Sequence, residues 1–176
     1  MKKNRLFIVI GIIALFLLLY FSFISASKNQ NSQLSENAIL TLDSDKNQVK
    51  INEELLVTLT LDSSVYEVGA ADFIIKYDPN FFSVSDITTG NYFSYYPVNT
   101  IGKDSIKLSG VASYDGDVLI LPKGRDTVGI FTFKALKKGT STISLDKNKT
   151  IVATDGQNIL NKKNLSGLEV TISDQN

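Results

Sequence analysis

Leu55-Leu56-Val57-Thr58-Leu59-Thr60-Leu61-Asp62 is the stretch on which the fold turns. Leu55, Val57, Leu59 and Leu61 take every second position, with Leu56, Thr58, Thr60 and Asp62 between them. Side chains of an extended strand alternate between faces, so this spacing makes one face wholly apolar and the other mixed. It reads as a core strand. The alternation returns in Ala71, Phe73, Ile75 and Tyr77 and closes at Asp78-Pro79-Asn80. There Pro fixes φ for a turn and Asp can bond back to the backbone. Phe82 and Val84 restart an extended segment, and residues 38–42 read as a strand before the first stretch.

Further strands are expected at 105–112, 128–136, 140–145, 150–153 and 168–173, with turn chemistry at Asp115-Gly116, Lys138-Gly139 and Asp155-Gly156. Residues 116–127, broken by Pro122 and Gly124, suit a loop or a sheet edge better than a central strand. Short β-branched and aromatic segments separated by Gly, Asn and Asp turns are the pattern of an all-β sandwich or barrel. No internal repeat and no second domain interrupts it.

Composition narrows the chemistry. The 176 residues contain no His, Cys or Trp. Nucleophile systems built on imidazole or thiolate are excluded, as are ordinary zinc, copper, haem and iron–sulfur sites. Any metal would be a hard cation held by oxygen. Carboxylates could act in pairs, but abundant Asp and Glu are mostly surface groups, so the chain is not expected to be an enzyme. No catalytic residue, cofactor or resident metal is assigned. Basic and acidic residues number 18 each; removing Lys2, Lys3 and Arg5 leaves 15 basic side chains against 18 acidic. With no basic block in that acidic remainder, nucleic acid is excluded as a partner.

The same three basic residues precede residues 6–24, which are apolar apart from Gly11, Tyr20 and Ser22. Such a run can span a bilayer, and Ser25-Ala26-Ser27 supplies small residues for cleavage. Residues 1–27 are therefore either a retained N-terminal transmembrane anchor or a cleaved signal helix. In both cases the positive-inside rule puts the rest of the chain on the extracellular face, anchored or secreted. Residues 28–37, polar and rich in Ser, Asn and Gln, form a flexible linker, and residues 38–174 form the folded domain.

The features occur in a recognisable order. The strand 55–61 is followed by Ala71-Asp72-Phe73-Ile74-Ile75-Lys76-Tyr77-Asp78-Pro79, then by a strand ending at Gly90 with Tyr92 and Phe93 after it. Val128-Gly129-Ile130-Phe131-Thr132-Phe133-Lys134-Ala135 and Gly139-Thr140-Ser141-Thr142-Ile143 complete the series. Over residues 38–173 this order resembles the cohesin family, β-sandwich modules of cellulosome scaffoldins and related surface proteins, akin to carbohydrate-binding modules. The resemblance implies a nine-stranded jelly-roll β-sandwich and a non-catalytic role, gripping the dockerin module of another protein in a polysaccharide-associated surface assembly. It also implies two partner-binding residues. Asp72 matches an acidic position that accepts hydrogen bonds from dockerin hydroxyls, and Tyr96 matches an aromatic position on the same face. Ala70 stands where such cohesins commonly carry Asn, and the segment around Ala112 and Ser113 lacks an acid often found there.

Two other patterns bear on function. Asp43-Ser44-Asp45-Lys46-Asn47 with Glu54 has the oxygen spacing of a calcium loop, but Gln48 replaces the Gly at the sharp turn and the flanks read as strands. An ordinary turn is the expectation there. Phe81, Phe82, Tyr92, Phe93, Tyr95 and Tyr96 crowd one region, which raises direct polysaccharide binding by a carbohydrate-binding module as the alternative function. That alternative needs at least two rings presented together to solvent, whereas docking needs a flat, mixed-polar face around Asp72 and Tyr96.

Overall fold

The computed structural model describes residues 38–174. The expected membrane or signal segment and linker, 1–37, lie outside the described residues. The strand segments are β1 (Ile39–Ser44), β2 (Gln48–Lys50), β3 (Glu54–Asp62), β4 (Ala70–Lys76), β5 (Phe82–Thr89), β6 (Tyr95–Ile101) and β7 (Ser105–Val111). They continue as β8 (Ser113–Asp115), β9 (Val118–Ile120), β10 (Arg125–Ala135), β11 (Gly139–Leu145), β12 (Ile151–Thr154), β13 (Gln157–Asn158) and β14 (Leu168–Ser173). Among the described residues the only helical element is one short 3-10 turn at Lys162–Asn164, so the all-β expectation holds.

One sheet runs β1-β3-β10-β5, all antiparallel. In the other, β6 pairs β7 and β7 pairs β4, whose far edge is shared by β11 and β12; β14 and β2 follow β11. Ser144 and Leu145 of β11 pair with Lys76 and Ile75, while Ile151 and Ala153 of β12 pair with Asp72 and Ala70. Between them the backbone steps aside, and the Ile74 N–H donates to Thr150 Oγ1 (3.3 Å) where a ladder carbonyl would otherwise accept. Counting β11 and β12 as one interrupted strand, nine principal strands make the jelly-roll sandwich that the resemblance implies. The short β2, β8, β9 and β13 are additions to it.

The core follows from the alternation. Leu55, Val57, Leu59 and Leu61 are fully buried beside Phe131 and Phe133 of the adjacent β10, and this sheet faces Phe73 and Ile75 from β4 and Ile106 and Leu108 from β7 across the sandwich interior. Each such side chain contributes about 1.5–3 kcal/mol on leaving water. Phe133 meets Tyr77 and Phe82 edge-on at centroid distances of 5.5 and 5.8 Å, which ties the Asp78-Pro79-Asn80 turn to the core. Within that turn Asp78 Oδ1 accepts the Asn80 N–H at 2.9 Å, as the Asx reading required.

Turn chemistry is equally direct at Asp155-Gly156. Both residues have positive φ (47° and 74°), and they join Thr154 to Gln157 as a two-residue type I′ hairpin loop. In the 116–127 stretch, read as loop or edge, β9 forms a two-stranded ribbon with β8. β6 escaped the sequence pattern because Pro97 interrupts it; the register slips between Tyr95 and Val98, and the strand lies at the sheet edge, where a missing N–H is tolerated.

Candidate functional site

β4 and its neighbours build an outward face from side chains that the core does not use. The register sets two rows across four strands. Ile151, Asp72, Ser109 and Val98 form one row, from β12 through β4 and β7 to β6. Ala153, Ala70, Val111 and Tyr95 form the next. Because sheet neighbours lie ~5 Å apart, each row extends about 15 Å across the face.

Asp72 is the acid at the centre of the first row. Ser109 Oγ, buried at 6% exposure, donates a hydrogen bond to Asp72 Oδ1, and Lys107 Nζ lies 3.5 Å from Oδ2. The carboxylate stays 42% exposed, so it is positioned from below yet open to a partner. Beside it is a shallow depression of about 190 Å3, lined mainly by Ala70, Val111, Ile151 and Ala153, with Asp72 and Ser109 as its polar corner. The small side chains of Ala70 and Ala153 create that depression; the Asn that the family commonly carries at the Ala70 position would occupy part of it. Further along, Lys76 Nζ reaches Asp104 Oδ2 at 3.4 Å. The Ser105 hydroxyl and Lys76 hold the Asp104 carboxyl below its usual value.

Tyr96 sits differently from Asp72. It falls inside the Tyr95–Val98 slip, and its half-buried ring meets Phe93 edge-on at 5.9 Å. The Phe93 N–H donates to its phenol oxygen at 3.3 Å. Burial pushes the Tyr96 phenol above its usual range, with the Phe93 bond opposing that shift. Its neighbour Tyr95, opposite Val111, is the exposed ring at 57%. The residues that share the face with Asp72, namely Lys107, Ser109, Val111, Ile151 and Tyr95, come from strands distant in sequence. Tyr95 had stood out only as one of the crowded aromatics, and the early signal for the others was alternation within each strand.

The remaining aromatic crowd has gone to packing. Phe82, Tyr92 and Phe93 are buried, Phe81 is half-buried beneath Lys137 (5.7 Å to the ring centre), and of the six rings Tyr95 alone is exposed. These six therefore do not form the two-ring platform that stacking on a sugar needs. The Asp43–Glu54 stretch also resolves into turn chemistry. Asp45 Oδ1 accepts the Leu56 N–H at 2.8 Å, Lys46 pairs with Glu53 at 2.6 Å, and Glu54 begins β3 opposite Lys134.

Comparison with known proteins agrees with this architecture. A family model, the Cohesin domain, matches residues 40–172. No curated protein matches the chain. Among solved structures, the cohesin module of a Clostridium perfringens family 33 glycoside hydrolase superposes with a TM-score of 0.62 at 15% identity, over 78% of this chain and 98% of that one. The third ScaC cohesin of Acetivibrio cellulolyticus, solved in complex with the ScaB dockerin, gives 0.60 at 16% identity, over 76% and 99%. CaCohA2 of Clostridium acetobutylicum gives 0.59 at 20% identity, over 76% and 90%. The sandwich thus shares the fold of these modules, and with the family model spanning its strands from β1 to β14, the chain belongs to the cohesin domain family.

Proposed function

We propose that the chain is a non-catalytic docking module that holds a dockerin-like protein on the outer face of β12, β4, β7 and β6. The observation that carries this reading is Asp72. It is an open carboxylate fixed by a buried serine, in a flat face whose other members are mostly small or apolar. Such a group accepts charge-assisted hydrogen bonds from hydroxyl or amide donors, and the apolar rows around it exclude water from them. Catalysis has no comparable support, since the chain lacks imidazole and thiol and the face presents Asp72 already balanced by Lys107.

The module works outside the membrane, within a polysaccharide-associated assembly. The basic start and the apolar run 6–24 support the location, and the glycoside hydrolase that carries the C. perfringens cohesin supports the setting. Direct polysaccharide binding lacks a paired-ring surface among the six crowded aromatics. Retention of a displayed panel of dockerin modules by the full chain tests the docking reading. The expected result is at least one calcium-loaded dockerin bound, with affinity cut roughly ten-fold or more by Asp72→Asn, the range for one charged interfacial hydrogen bond. A panel that gives no binder, or binding indifferent to Asp72→Asn, contradicts it.

A further inference from the structure

The β8–β9 hairpin exposes side chains for which the sandwich has no use. Tyr114, Val118, Leu119 and Ile120 are 69%, 62%, 43% and 47% exposed. Ser113 pairs with Ile120, Tyr114 with Leu119 and Asp115 with Val118, so alternation puts Tyr114 and Leu119 on one face and Val118 and Ile120 on the other. The two strands form a sheet of their own. A lone two-stranded ribbon is marginal in water, and one that is apolar on both faces gains most by being covered.

Its base lies beside the edge of the Asp72 face. β8 starts two residues after β7 ends at Val111, and Val111 is paired with the exposed Tyr95. The Ser113 and Ser94 hydroxyls are hydrogen-bonded, which holds the base of the ribbon against the residue preceding Tyr95. The row Ala153, Ala70, Val111, Tyr95 therefore leads from the depression beside Asp72 to the strand ends from which the ribbon departs, with the Ser94–Ser113 pair at the junction. Asp115 and Asp117 flank the turn at Gly116 (φ +58°), and no ion pair among the described residues engages either. An acidic tip is repelled by an anionic bilayer surface and attracts a basic group.

We propose that the hairpin is a second contact element for the protein docked on the Asp72 face, taking a part of that partner where aliphatic or aromatic side chains lie next to a Lys or Arg. The inference rests on the docking reading and adds to it a specificity element outside the sheet face. The full chain, in detergent, is tested against the dockerin module that it selects from the displayed panel. Three variants are compared: Val118→Ser with Ile120→Ser, Asp115→Lys with Asp117→Lys, and Asp72→Asn.

All the substituted hairpin side chains are exposed, so unfolding midpoints should match the wild type. The expected result is a loss of five-fold or more for the serine pair, chiefly in dissociation rate. The lysine pair should give a slower association rate with weaker salt dependence, since steering charges act there. Hairpin variants within two-fold of wild type, with Asp72→Asn still weakened, overturn the hairpin role and leave the docking reading intact. Failure of the wild type to retain any dockerin overturns both. Wild-type dimerisation in sedimentation velocity that the serine pair abolishes overturns the hairpin role in favour of a second copy as the covering surface.

Discussion

Replacing Gly110 by Ala drives a methyl group into the ring of Phe93. A Cβ on Gly110 would lie 2.2 Å from Phe93 Cδ2, 2.6 Å from Cγ and 2.7 Å from Cε2. Carbon atoms in contact sit about 3.5–4.0 Å apart, so the ring must retreat by more than an ångström. It has little room: Phe93 is 2% exposed and is held edge-on by Tyr92 at 5.0 Å and by Tyr96 at 5.9 Å. Overpacking of this kind costs roughly 1–3 kcal/mol, against which the lower unfolded-state entropy of Ala returns about 0.4–1 kcal/mol. A net loss of about 1–2 kcal/mol is expected in urea unfolding of the compact unit Ser35–Asn176. Phe93→Leu in the same chain should relieve the clash, giving a double variant less destabilised than the two single losses summed, by about 1 kcal/mol. Because the Phe93 N–H binds Tyr96 and Tyr95 faces Val111, Gly110→Ala should also weaken docking. A loss under about 0.5 kcal/mol, or strictly additive single and double variants, would refute the close packing on which this rests.

Other consequences are more local. Asp72→Asn keeps an acceptor for Ser109 and removes only a partly exposed ion pair, so stability should stay within about 1 kcal/mol while docking falls; a large drop in unfolding midpoint would make Asp72 structural instead. The hydrogen bond from Lys46, then that from the Lys50 N–H, lowers the Glu53 carboxyl below its usual 4.5. Its contribution is thus fully present above that value and is lost as pH falls from 4.5 through the lowered one; Glu53→Gln should flatten this part of the urea-midpoint profile, and an unchanged profile would discount the pair. Gly156→Ala forces Ala to adopt φ +74° in the type I′ loop and should cost about 1 kcal/mol in thermal or urea unfolding, with no effect on docking. Asp45→Ala removes the acceptor for the Leu56 N–H and should cost about 1 kcal/mol, equally with and without calcium; a calcium-dependent loss would revive the metal-loop reading.

The strands that line the core were legible because burial on one face imposes a two-residue period. Leu55 to Leu61 and Ala71 to Tyr77 carry that period without interruption, and Asp155-Gly156 carries the residues that a type I′ turn demands. β6 was not legible. Pro97 and the slip beside it shift the facing of Tyr95 and Tyr96, so neither ring's exposure follows from alternation. The β8–β9 ribbon was legible in part: residues 116–127 read as a loop or an edge, but nothing in the pattern paired Val118–Ile120 with Ser113–Asp115 or showed those apolar side chains left outside. Of the proposed docking face, the sequence resemblance offered Asp72 and Tyr96, the latter half-buried against Phe93. The Asp72 neighbours Ser109, Lys107 and Ile151 depend on the registers of β7 and β12 against β4, which are set by the whole sheet rather than by any one segment.

Backbone chemical-shift mapping of the Ser35–Asn176 unit, free and bound to its selected dockerin, tests the docking surface most directly. The predicted perturbations cluster on Ala70, Asp72, Lys107, Ser109, Val111 and Ile151. Perturbations confined to the outer face of the β1-β3-β10-β5 sheet, with Asp72 and Ser109 unmoved, would contradict it.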